Sequence, residues 1–137
     1  MVKVIRMIQK YLKNQAKQVA PDFEWSVDYY TGEDNTVMVQ YEGGPVSDID
    51  NETDWRFPQY MFYIRSSDWD RTKTIAYRLY DLFHKKKVDE LINVPELDKT
   101  YRVYFMQAMS EPNRLGVGED KVMEYSLNIQ VQLREEI

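Results

Sequence analysis

The sequence predicts an α+β domain, in which a mainly antiparallel sheet of four to five strands carries two helices on one face, in the order α-β-β-β-α-β-β. Two segments repeat apolar residues every three to four positions, which is the spacing of one helix face. Five others alternate apolar and polar residues, the period of a strand with one buried face. The clearest of these places Tyr125, Leu127, Ile129, Val131 and Leu133 between Ser126, Asn128, Gln130 and Gln132. The 137 residues are expected to form a single domain, because a chain of this size buries about two-thirds of its unfolded surface in one core.

Residues 2–20 read as an amphipathic helix with Val4, Ile5, Ile8, Tyr11, Leu12, Ala16 and Val19 on its apolar stripe and Pro21 just beyond as a stop. Three strands follow: WSVDYY (25–30), TVMVQY (36–41) and QYMFYIR (59–65). The intervening GEDN (32–35) has the composition of a hairpin turn joining the first two. Between the second and third strands runs EGGPVSDIDNETDW, too long and too acidic for a simple hairpin. Ser67, with Asp70 three residues on, is placed to cap a second helix whose stripe is Thr72, Ile75, Ala76, Leu79, Leu82 and Phe83. HKKK (84–87) then sits at its C-terminal end, where positive charge is favoured. YRVYFMQAM (101–109), a glycine loop and the long strand from Met123 to Leu133 close the domain.

Composition restricts the chemistry. With no cysteine and one histidine, His84, the chain has no thiolate nucleophile, no thiolate zinc site and no histidine metal cluster. It has no apolar run near the roughly 20 residues of a membrane span and no signal-peptide pattern, so a cytoplasmic protein without membrane contact is expected. The net charge of -5 is segregated. Residues 1–20 hold Lys3, Arg6, Lys10, Lys13 and Lys17 and no acid, residues 22–54 hold ten acids and no base, and the remainder balances. Such segregation makes the surface electrostatically directional.

The candidate catalytic and ligand-binding motifs fail on their own terms. The GVG at 116–118 would need a helix after it to cradle a phosphate, yet a strand follows, so Gly116 and Gly118 are expected to supply positive φ in a connection. Asp48, Asp50, Glu52 and Asp54 begin like a calcium loop, but Thr53 stands where glycine is required and Gln59 where a bidentate glutamate is. The neighbouring pairs Glu119–Asp120 and Glu135–Glu136 alternate faces on a strand, and His84 lacks a catalytic partner. The basic N-terminal helix is read first as a helix packed on the sheet, ahead of a membrane-surface or partner helix. Neither an enzyme nor a cofactor is expected.

Three stretches, VMVQYEGGP, FPQYMFYIRSSDW leading into AYRLYDLF, and EPNRLGVGEDKVMEYSLNIQV, run in order from about residue 36 to residue 131. Together they resemble the minor capsid or tail-terminator (head-tail joining) proteins of long-tailed bacteriophages and prophages. The resemblance implies a non-catalytic subunit, with no cofactor, of a homohexameric ring at the head-proximal end of the tail tube. Such a ring, located in the virion and assembled in the bacterial cytoplasm, contacts the tube protein and the head connector, and DNA passes through it without specific binding. The acidic SDIDNETD loop and TGEDN depart from the family pattern. Under this resemblance Asp48, Asp50, Glu52 and Asp54 are expected to border the channel, where acid would keep phosphates from adhering. Lys3, Arg6, Lys10, Lys13 and Lys17 would form an inter-subunit basic face. Changing the four acids to lysine is expected to leave folding intact and slow DNA release from assembled particles, read as ejection kinetics. The competing class is a monomeric adaptor or regulatory module that uses the basic helix or the acidic loop on a partner.

Overall fold

The first helix, α1 (Val2–Ala16), forms where the apolar stripe requires it: Val4, Ile8, Leu12 and Ala16 are buried, with Ile5 and Tyr11 packed at the margin. A single 3-10 turn, Lys17–Val19, tightens its end before Pro21. The computed structural model describes residues 2–45, 55–95 and 98–136. Eight strands follow or flank a second helix: β1 (Glu24–Val27), β2 (Thr36–Gly43), β3 (Trp55–Arg56), β4 (Gln59–Ser66), α2 (Trp69–Phe83), β5 (Lys86–Val94), β6 (Lys99–Ala108), β7 (Asn113–Val117) and β8 (Met123–Glu136). They make one sheet in the order β1-β2-β4-β8-β6-β5, with β3 and β7 also paired to β8. Both helices lie on one face, α1 over β1, β2 and β5 and α2 over β4, β6 and β8, around a single core. This is the predicted α+β class with more strands than the four to five expected.

β8 is internal, and its odd-numbered residues from Met123 to Leu133 are all buried in that core. Along one edge it pairs with β4 from Ser66↔Met123 to Gln59↔Gln130, and then with β3. The ladder continues across the break because Val131 donates its N–H to the Pro58 carbonyl at 2.9 Å. Proline lacks a donor of its own, so the break falls where a strand tolerates it. Along the other edge, β6 covers Ile129 to Glu136 and β7 covers Met123 to Ser126, with Met109 N–H bonded to the Asn128 carbonyl between them at 2.8 Å. Two interrupted strands therefore flank one uninterrupted strand.

Four expectations are corrected. GEDN is not a hairpin turn, because β1 pairs parallel to β2, with Glu24 opposite Thr36. Asp28, at φ 58°, turns the chain out of β1 before Tyr29 and Tyr30, and residues 28–35 carry it back to start β2 alongside. Ser67 is not the cap of α2: Asp68 is, accepting the Arg71 N–H. Only His84 and Lys85 of HKKK close the helix, while Lys86 and Lys87 open an edge strand, β5, whose charges and bulge after Lys87 hide the alternation and protect the edge. The glycine loop is a bulge and a hairpin: Gly116 takes φ 110° opposite Glu124, whereas in the β7–β8 turn positive φ falls on Lys121 (62°) and Gly118 does not need it.

The two glycines at the end of β2 have different causes: Gly43 takes φ 86°, and Gly44 is required for space. A Cβ on Gly44 would sit 2.5 Å from the Phe57 carbonyl oxygen, a backbone atom held beside β3. Gly44→Ala is expected to cost about 1–3 kcal/mol, the range for forcing an atom into a packed site. A denaturant midpoint unchanged from the parent would contradict that approach.

Candidate interaction surfaces

The basic residues of α1 occupy its outer side. Lys3, Arg6, Lys10 and Lys17 are exposed and Lys13 is half-buried, with Met7 exposed among them. The acidic segment that follows in sequence partly returns to these and other cations. Arg6 pairs with Asp28 at 3.1 Å, the Asp28 carboxylate also accepts Gln9 Nε2 at 2.7 Å, and Asp22 takes both ends of the Arg71 guanidinium. The Arg71 bond holds the Asp22 carboxyl below its ordinary range. Asp22 and Asp28 are therefore engaged by cations of the same chain. Asp48, Asp50, Glu52 and Asp54 lie outside the described residues.

A second charged surface is assembled at the end of the sheet where β4 finishes and β8 begins. Asp34 accepts the Ser67 hydroxyl at 2.5 Å and the Ser67 N–H at 2.7 Å, and these bonds, the hydroxyl first, hold its carboxyl below the usual range. Arg65, only 3% exposed, donates to the Glu33 carbonyl at 2.7 Å and to Asp120 at 2.8 Å, with Tyr30 over its guanidinium at 5.3 Å. Trp69, 48% exposed, donates its indole N–H to the Lys121 carbonyl at 2.9 Å. These contacts bring together the three segments that carry the exposed acids Glu33, Asp34, Asp68, Asp70, Glu119 and Asp120 and the exposed indole of Trp69. Sequence inspection did not find this surface, since its members come from three separated segments.

The remaining candidates make contacts within the chain. His84 is half-buried, stacks on Tyr80 at 4.8 Å, and accepts the Ala108 N–H on Nδ1 at 3.2 Å, so it ties α2 to the end of β6. Asp120 serves Arg65, while Glu135 and Glu136 face different cations, Lys99 at 3.8 Å and Arg102 at 2.8 Å. Among the described residues no group of three or more acid, histidine or cysteine side chains is placed to hold a metal ion. Among the described residues, the pKa values of the Asp22 and Asp34 carboxyls go down, that of Tyr60 goes up through burial, and that of Tyr11 goes up through burial and its bond to Glu90.

Among the described residues, surface depressions border the helices. One of about 460 Å³ lies between α1 and the β1–β2 edge, lined by Lys3, Ile5, Arg6, Gln9, Asp28 and Tyr41. One of about 430 Å³ separates the 3-10 turn from α2. Another, of about 280 Å³, is lined by Lys3, Arg6, Met7, Lys10, Asn93 and Pro95, where α1 passes the end of β5.

No family model and no curated protein sequence matches the chain. Among solved structures, the chain is similar to one in a structure titled "Virion of native gene transfer agent (GTA) particle", with a TM-score of 0.57 and 10% sequence identity. The likeness covers 90% of this chain and 94% of that chain, so the two share a fold nearly end to end.

Proposed function

We propose that this protein is a structural subunit of a phage-like virion, and specifically a ring-forming component at the head-proximal end of the tail tube that stops tube growth and joins the tail to the head connector. The observation that carries the reading is the near end-to-end likeness to a virion chain of a gene transfer agent particle. The tail-terminator resemblance of residues 36–131 supplies the position within the particle. The surfaces suit such a role: they are charged and extended, and the shifted titratable groups serve ion pairs and hydrogen bonds. The protein acts without catalysis or cofactor in this reading, and its partners are further copies of itself, the tube protein and the connector.

Deleting the gene in the particle-producing cell tests it. Tails should then lose length control and fail to join heads, while heads still package DNA. Normal joined particles from the deletion would refute the reading, and headless tails of correct length would move the protein from tube termination to connection alone. Electron microscopy of the purified protein should show a ring with a central hole.

A further inference from the structure

We infer that the groove of about 280 Å³ beside α1 receives the acidic, tryptophan-bearing end of a second copy of this chain, so that copies join head to tail. This names the subunit contact of the proposed ring and rests on that reading. The groove falls below the roughly 300–1,000 Å³ of small-molecule sites, which suits it to a protruding side chain. Its lining combines a thioether, Met7, with the cations Lys3 and Lys10 and with Arg6, which also pairs with Asp28. Sulfur packs favourably at an aromatic edge, and ammonium groups favour both carboxylates and the face of an indole. The opposite end of the molecule offers that combination: the exposed Trp69 between Asp68 and Asp70, with Glu119 and Asp120 in the turn that its indole N–H holds.

Geometry makes the contact intermolecular. The groove lies at Pro95, beyond the Val94↔Lys99 pair and near the end of β8, whereas Trp69 follows Ser66, which pairs with Met123 at the start of β8. The groove's other wall reaches back along β8 as far as Arg6, which bonds Asp28 beside Tyr41, in register with Ile129 through Tyr60, and from Ile129 to Met123 the strand still runs roughly 20 Å. Two complementary patches at opposite ends are not self-complementary across a two-fold axis. They generate a heterologous contact, which closes into a ring when the repeated rotation returns to its start. Asp22 and Asp28, the nearer acids in sequence, are held by Arg71 and Arg6.

A charge exchange tests the contact on the full chain. One variant carries Lys3→Glu and Lys10→Glu, and the other carries Asp70→Lys and Glu119→Lys, with Asp68 and Asp120 retained because they cap α2 and hold Arg65. Thermal melts confirm that each folds. Sedimentation then measures association at about 0.1 M and about 1 M salt, between which the screening length falls from about 10 Å to about 3 Å. Wild type should associate at low salt and weaken at high salt. Each variant alone should lose about tenfold or more in association, equivalent to about 1.4 kcal/mol, and their equimolar mixture should recover it in species with even numbers of subunits. Variants that associate like wild type, a mixture that stays dissociated, or a wild-type chain that remains monomeric at about 1 mM would each overturn the contact. None of these touches the gene-deletion result on which the virion reading stands. Lysine-dependent binding of short duplex DNA without self-association would also overturn it and reassign the groove to phosphate.

Discussion

Ile129→Asp is expected to destabilise the protein by about 4 kcal/mol or more, a large share of a small domain's stability. Ile129 is fully buried in the central strand, between Tyr60 of β4 and Ala108 of β6, on the face covered by the helices. A carboxylate there must either stay charged without a partner or take up a proton, and both outcomes carry a cost of several kcal/mol. The strand cannot escape by slipping one residue, since that would turn every odd-numbered side chain of β8 out of the core. Ile129→Val, which removes only one methylene, should cost about 1 kcal/mol. Urea denaturation of the pair separates the charge from the change in volume. An Asp variant that melts with the parent would mean that β8 does not lie where it is described.

The second large effect is an asymmetry within one ion pair. Arg65 is 4% exposed in its side chain and Asp120 is 53% exposed, and the Arg65 Nε has no hydrogen-bond partner among the described residues. Removing the exposed member strands the buried one. Asp120→Ala leaves a buried guanidinium with the Glu33 carbonyl, the Tyr30 ring and the nearby Asp34 charge, at an expected cost of about 2–3 kcal/mol, below the range for fully buried pairs because water reaches Asp120 and Asp34 remains. Arg65→Met keeps the apolar stem and returns Asp120 to solvent, so its cost should be smaller, about 1 kcal/mol. The order is the test: if Arg65→Met proves the more damaging, the pair matters through the Glu33 tie and not through the buried charge.

The features legible in the sequence were those set by local periodicity. The buried stripes of both helices and the alternation of β8 follow from which residues can share a face. What escaped was set by contacts across long separations. β1 runs parallel because Asp28 is held at positive φ by Gln9, Arg6 and the Tyr41 N–H, and turn-like composition at 32–35 carries no trace of that. Ser67 satisfies the rule for a helix cap, yet Asp34 claims both its N–H and its hydroxyl from 33 residues away, and the cap passes to Asp68. β5 was missed because Asp89, at φ 52°, lies where the register shifts and breaks its alternation. The basic helix face was visible as a charge run. Its acidic complement was not, because folding gathers it from the 28–35 loop, the start of α2 and the β7–β8 turn.

The position of β8 also bears on how the chain acquires its structure during synthesis. The strand that joins β3 and β4 to β6 and β7 is the last of the described elements to be made. Until it leaves the ribosome, β4 and β6 each lack the neighbour that pairs with them at the middle of the sheet. Before β8 emerges the nascent chain therefore holds two unjoined sheet fragments with exposed apolar faces, and cooperative folding waits for that strand.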